Sequence, residues 1–169
     1  MSAQAVDTAD SVPSQDDTHR RIHELLGAVT AAVLAAQPGL LGFADQRPER
    51  DRSSGSSWRG VQTLCHVSAL LASAGAPGSS AGSVQYLLEA VHAVATARGL
   101  QRRSTQHRHG ISGATWSDAS GDLLEVVVGV RVAVRAISAP FLPGSLRPLP
   151  TTSPPSPLSP PTPPPRPGR

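Results

Sequence analysis

The sequence predicts an α+β fold of two layers, with two amphipathic helices packed on an antiparallel β-meander of about four strands. Three observations carry this. Apolar residues recur at helical spacing between residues 17 and 36 and again between 84 and 95. Four β-type segments follow between residues 100 and 138. The last of them alternates strictly, with Val130, Val132, Val134 and Ala136 set against Arg131, Ala133 and Arg135, which gives one buried and one wetter face. At 169 residues the chain has a one-domain length, and a sheet of this size needs both helices to close its core.

Taken in order, residues 1–15 are small, polar and interrupted by proline, a composition expected to stay disordered. Asp16 or Asp17 is expected to cap a helix whose Ile22, Leu25, Leu26, Val29, Val33 and Ala36 form one face, and Pro38 and Gly39 end it. Residues 42–60 are charged and serine-rich and read as a mobile loop. The stretch 61–71 suits a helix or a buried strand equally, and 73–82 reads as a loop. Ser83 is the expected cap of the second helix, with Val84, Leu87, Leu88, Val91 and Ala95 on its apolar face and Gly99 just past its end. Strands are expected at 100–107, 111–117, 123–129 and 130–138, with Asp118 to Gly121 as a hairpin loop. The domain therefore spans 16–142. Residues 143–169 form a proline-rich tail expected to sample polyproline II without a packed core, and from Pro140 onward the chain carries thirteen of its seventeen prolines.

All 15 basic residues are arginine, and lysine and asparagine are absent, which suits the codon usage of a high-GC bacterium. The net charge of +3 hides a polarity: residues 1–51 hold eight acids and four arginines, residues 52–169 eleven arginines and four acids. Nucleic-acid binding is disfavoured, because arginine replaces lysine throughout and stacking side chains are scarce. A single cysteine, Cys65, excludes an intrachain disulfide and any CxxC pair, and reads as a buried structural thiol. The first residues have neither a basic n-region nor an apolar h-region, so the expected location is cytoplasmic, and no apolar window approaches the ~18 residues of a membrane span.

His107 and His109 lie two apart, so on a strand both imidazoles project from one face as metal ligands do. A third ligand would have to come from His66, His92 or Asp118. His19 and His23 are four apart on the first helix but lack the glutamate of an HExxH pattern, and read as a solvated face. Without lysine no Walker A loop exists, and no GxSxG elbow is present. Arg102, Arg103, Arg108, Arg131 and Arg135, with Arg98, are candidates for a basic sheet face that meets an acidic partner.

The segments RIHELLGAVTAAVLAAQPG, TARGL and GATWSDASGDLLEVVVGVRVAVRAISAPF, in this order, resemble small actinobacterial envelope lipoproteins of unknown function over residues 17–142. That resemblance implies an upstream signal peptide with a lipidated cysteine. It also implies a disulfide from near Cys65 to a cysteine just after the last strand, where this chain has Ala139-Pro140-Phe141. With no assembled catalytic motif, the leading expectation is a non-enzymatic protein-interaction domain that needs no cofactor. The alternatives are an envelope-associated lipoprotein-like structural domain and a metal-dependent enzyme built on His107 and His109.

Overall fold

The computed structural model describes residues 12–144, so most of the expected disordered N-terminus (1–15) and proline-rich tail (143–169) lies outside the described residues. The chain runs α1 (Gln15–Ala36), β1 (Gly42–Arg47), β2 (Arg50–Trp58), β3 (Val61–Val67), β4 (Leu70–Ala74), α2 (Ala81–Ala97), β5 (Gln101–Arg108), β6 (Ile111–Ser117), β7 (Leu123–Val128) and β8 (Val132–Ile137).

The sheet has eight antiparallel strands, which corrects the expected four-strand meander. Its order is β1-β4-β8-β7-β6-β5, with β2 paired to β3 and β3 also reaching β8. Strands β5 to β8 are one half of it. The other half is a long bent hairpin in which β1 pairs with β4 from Gly42↔Ala74 and β2 pairs with β3 as far as Trp58↔Val61. Residues 42–60, expected as a mobile loop, supply its outer side. The physical reason for the difference is edge position: β1 and β2 are exposed along most of their length, so no apolar alternation is required of them. Pro48 falls between them at the bend, where its missing N–H removes no interior ladder bond.

Opposite that bend, Ser68 and Ala69 separate β3 from β4, and both strands pair with β8, through Val67↔Ile137 and Leu71↔Val134. Buried serine hydroxyls satisfy the backbone where the ladder breaks: Ser138 Oγ accepts from the His66 N–H and Ser68 Oγ from the Ala136 N–H, each at 2.9 Å. His66 is thereby fixed at the junction of the two sheet halves.

Ser14 caps α1, its hydroxyl accepting from the Asp17 N–H at 3.2 Å, and Ser80 caps α2 through the Ser83 N–H at 3.1 Å. The residues expected as caps sit inside the first turns, where Asp16 and Asp17 complement the helix dipole. Helix α2 ends with Leu100 N–H on the Ala95 carbonyl and Gly99 N–H on the Thr96 carbonyl, at 3.0 and 2.9 Å. Both helices lie on one sheet face, where Ile22, Val29, Val33, Leu87 and Val91 meet Trp116, Leu124, Val126 and Val134. Trp116 is fully buried, and its indole N–H donates to His92 Nδ1 at 3.2 Å. Among the described residues no helix is long and apolar enough to cross a membrane.

Candidate metal centre

Residues four apart on a helix lie one turn apart on the same side, so α1 presents His19 and His23 together. The surface they meet is the bend of the hairpin. Glu49, just before β2, and Asp51, within it, are two apart on extended chain and face the same way. Asp51 is the register partner of His66 on β3. Three imidazoles and two carboxylates from distant parts of the sequence converge there.

Asp51 is the inner hub. Its carboxylate lies 2.7 Å from His66 Nδ1, 2.9 and 3.1 Å from His19 Nε2, and accepts from Gln15 Nε2 at 3.0 Å. Burial is the largest influence on Asp51 and would raise its carboxyl, but the hydrogen bonds from His66 and His19 prevail and hold it below its ordinary value. Glu49 is the outer carboxylate, 2.5 Å from His23 Nε2, and that hydrogen bond keeps it below the usual range against the opposing effect of burial. Both acids are therefore ionised at neutral pH.

His66 is 1 % exposed, and its two nitrogens have different surroundings. Nδ1 faces the Asp51 carboxylate, which only accepts, so Nδ1–H donates to it. Nε2 is buried without a hydrogen-bond partner and faces Glu49 Oε2 at 3.4 Å. His23 Nε2, His66 Nε2 and the Glu49 carboxylate lie within 4.8 Å of one another, as do His19, Asp51 and His66. The second trio is closed by its own hydrogen bonds, whereas in the first His66 Nε2 has no hydrogen-bond partner.

The rotation of α1 that aims these histidines is set by Arg21, between them in sequence. Its guanidinium donates through Nε and Nη2 to the two oxygens of buried Asp122 at 2.7 and 2.9 Å, and the hydrogen bond to Asp122 raises the arginine above its ordinary value. Asp122 also accepts from the Ala139 N–H at 2.7 Å, which ties α1 to the far end of β8. Beside the first trio opens a cavity of about 460 Å³, whose wall includes His23, Glu49, Leu26, Gly27, Asp45 and Leu71.

Among the described residues, His107 and His109 are not in a group of three ligand-type side chains close enough to share an ion. His107 is on β5 with Nδ1 2.8 Å from Ser112 Oγ. His109 has φ 51° and with Gly110, φ 76°, forms the two-residue turn between Arg108 and Ile111, off the strand face. The arginines are dispersed. Arg102 lies on the helix side, donating to Glu89 at 3.1 Å and standing over the Trp116 ring at 5.6 Å. Arg103 bonds Ser117 Oγ at 2.7 Å and Arg135 pairs with Glu125, while Arg108 and Arg131 are exposed at strand ends. Cys65 is buried.

No family model and no curated protein matches the chain. Among solved structures it is similar to a DUF4853 family protein from Actinomyces odontolyticus, at TM-score 0.56 and 19 % identity, covering 83 % of this chain and 73 % of that one. The neighbour comes from an actinobacterium, which agrees with the actinobacterial part of the resemblance drawn from the sequence; the lipoprotein part is not shown. What it shares with this chain is the fold.

Proposed function

We propose that this chain binds a divalent transition-metal ion through His23 Nε2, His66 Nε2 and the Glu49 carboxylate. The observation that carries the reading is the buried Nε2 of His66, which has no hydrogen-bond partner and lies 3.4 Å from the Glu49 carboxylate. An unsatisfied buried polar atom costs roughly 1–3 kcal/mol, and a cation between the three donors removes that cost while neutralising the acids. Two imidazoles and a carboxylate form a donor set that zinc takes in sites with an open position, and that non-haem iron(II) takes as well. Asp51 supports the assignment from behind, because a ligating imidazole ordinarily donates its other N–H to a carboxylate, which fixes tautomer and ring orientation. His19 and Gln15 in turn hold Asp51.

This reading moves the search for function from the arginine-bearing strands to the hairpin bend, since Arg102 and Arg135 are already paired with Glu89 and Glu125. Calorimetric titration of the metal-free full chain with Zn²⁺ is expected to show one equivalent bound in the micromolar range or tighter, and the metal should survive desalting. Heats that do not saturate, with no zinc retained, contradict the proposal.

A further inference from the structure

We infer that the ion held by His23, Glu49 and His66 keeps an exchangeable coordination position facing the adjoining cavity, and that this position takes small Lewis bases with an apolar body in preference to those without one. The inference rests on the metal reading above. Three protein donors leave at least one place free on a four-coordinate ion. Its direction follows from what is already filled. Behind His66 stand Asp51 and the His19 ring, whose centroid is 4.1 Å from that of His66, and Phe141 packs edge-on against His19 at 5.8 Å. Nothing enters from that side. His23 and Glu49, by contrast, are both half exposed and both line the cavity.

The cavity's chemistry selects the ligand. The cavity is an open cleft of about 460 Å³, with room for a small molecule beside the ion. Leu26, Pro48, Ala69 and Leu71 supply hydrocarbon walls, with Thr30 and Asp45 as polar points. Gly27 supports the same picture. It lies in the middle of α1, where glycine is unfavourable, yet a Cβ built on it meets nothing within 4 Å. The missing side chain leaves room on the cavity wall and relieves no contact.

Cobalt(II) substituted into the full chain reports on this through its visible d–d absorption. Pyridine, a neutral nitrogen donor with a hydrocarbon body, is expected to shift the bands saturably, and azide, although smaller, should need at least a tenfold higher concentration. Gly27→Phe, a substitution in open space on a helix, is expected to keep the cobalt spectrum and weaken pyridine at least tenfold. Cobalt bands that neither probe moves overturn the open position and leave the metal reading intact. Azide binding as well as pyridine, or Gly27→Phe leaving pyridine unaffected, overturns the assigned ligand class or the cavity as its route. A chain that shows no cobalt bands brings down the metal reading, and this inference with it.

Discussion

Replacing His66 with alanine is expected to weaken zinc binding by more than the ~10–100-fold that loss of an outer hydrogen-bonding partner costs, because it deletes one of the three donors outright. The readout is thermal. Zinc at a hundred times its dissociation constant stabilises a folded protein by ~2.7 kcal/mol, so the parent chain's melting temperature should rise with zinc and that of His66→Ala should not at the same concentration. Two further variants give the result its shape. Glu49→Gln changes a half-exposed position without touching the core and should abolish the shift in the same way. Asp51→Asn leaves the three donors in place and removes only the carboxylate behind His66, so its loss should fall within the ~10–100-fold range. His107→Ala, far from the cluster in sequence and bonded only to Ser112, should leave zinc binding unchanged. Retention of the full zinc shift by His66→Ala would place the ion elsewhere.

Trp116→Ala is the substitution expected to cost most stability, ~3–5 kcal/mol. Its ring has no exposure, sits between α2 and the sheet, and anchors both the His92 imidazole and the Arg102 guanidinium. Truncation leaves a cavity where helix and sheet meet. Against a total stability of about 5–15 kcal/mol, such a loss removes a large share of the folding free energy. Urea unfolding should show a lower midpoint with an unchanged slope, the mark of lost stability without a changed unfolded state. Trp116 does not touch the metal cluster, so the variant, while folded, should bind zinc as the parent does. A loss below about 1 kcal/mol contradicts this account of the core, since even ordinary surface changes reach ~0.5 kcal/mol.

These two variants also separate what the sequence disclosed from what it concealed. Trp116 belongs to the part that periodicity reveals: residues that alternate on β6, β7 and β8, or repeat at helical spacing on α1 and α2, do so because one side of each is buried. The hairpin from 42 to 74 carries no such pattern. Its outer side is an edge, wet on most positions, so RDRSSGSSW resembles a loop although it is a strand. Its inner side bends at Ser68-Ala69, which breaks the alternation and leaves 61–71 ambiguous between helix and strand.

The cluster was hidden for the same reason. His19 and His23 were visible as a helical pair, but nothing singled out Glu49 and Asp51 within 42–60 or connects them to the histidines until β2 is paired with β3 in the register Asp51↔His66. One local signal did mark that pairing. Arg59 and Gly60, with φ 48° and 81°, make the same two-residue turn as His109 and Gly110, and both turns end in glycine. Trp58-Arg59-Gly60-Val61 is therefore a hairpin tip in sequence terms. Aligning outward from it, through the irregularity between Ser53 and Ser57, brings Asp51 opposite His66. His109 shows the converse. A spacing of two implies one face only while both residues lie on the strand, and the positive φ of His109 takes it into the turn.

The central claim is that a metal ion sits between α1 and the hairpin bend, and the most direct measurement is a crystal structure of the zinc-loaded full chain with anomalous scattering recorded at the zinc edge. The account predicts one anomalous peak ~2.0–2.2 Å from His23 Nε2, His66 Nε2 and a Glu49 oxygen, with Asp51 on the His66 Nδ1–H. No peak among those three residues, or a peak at His107 and His109 instead, contradicts it.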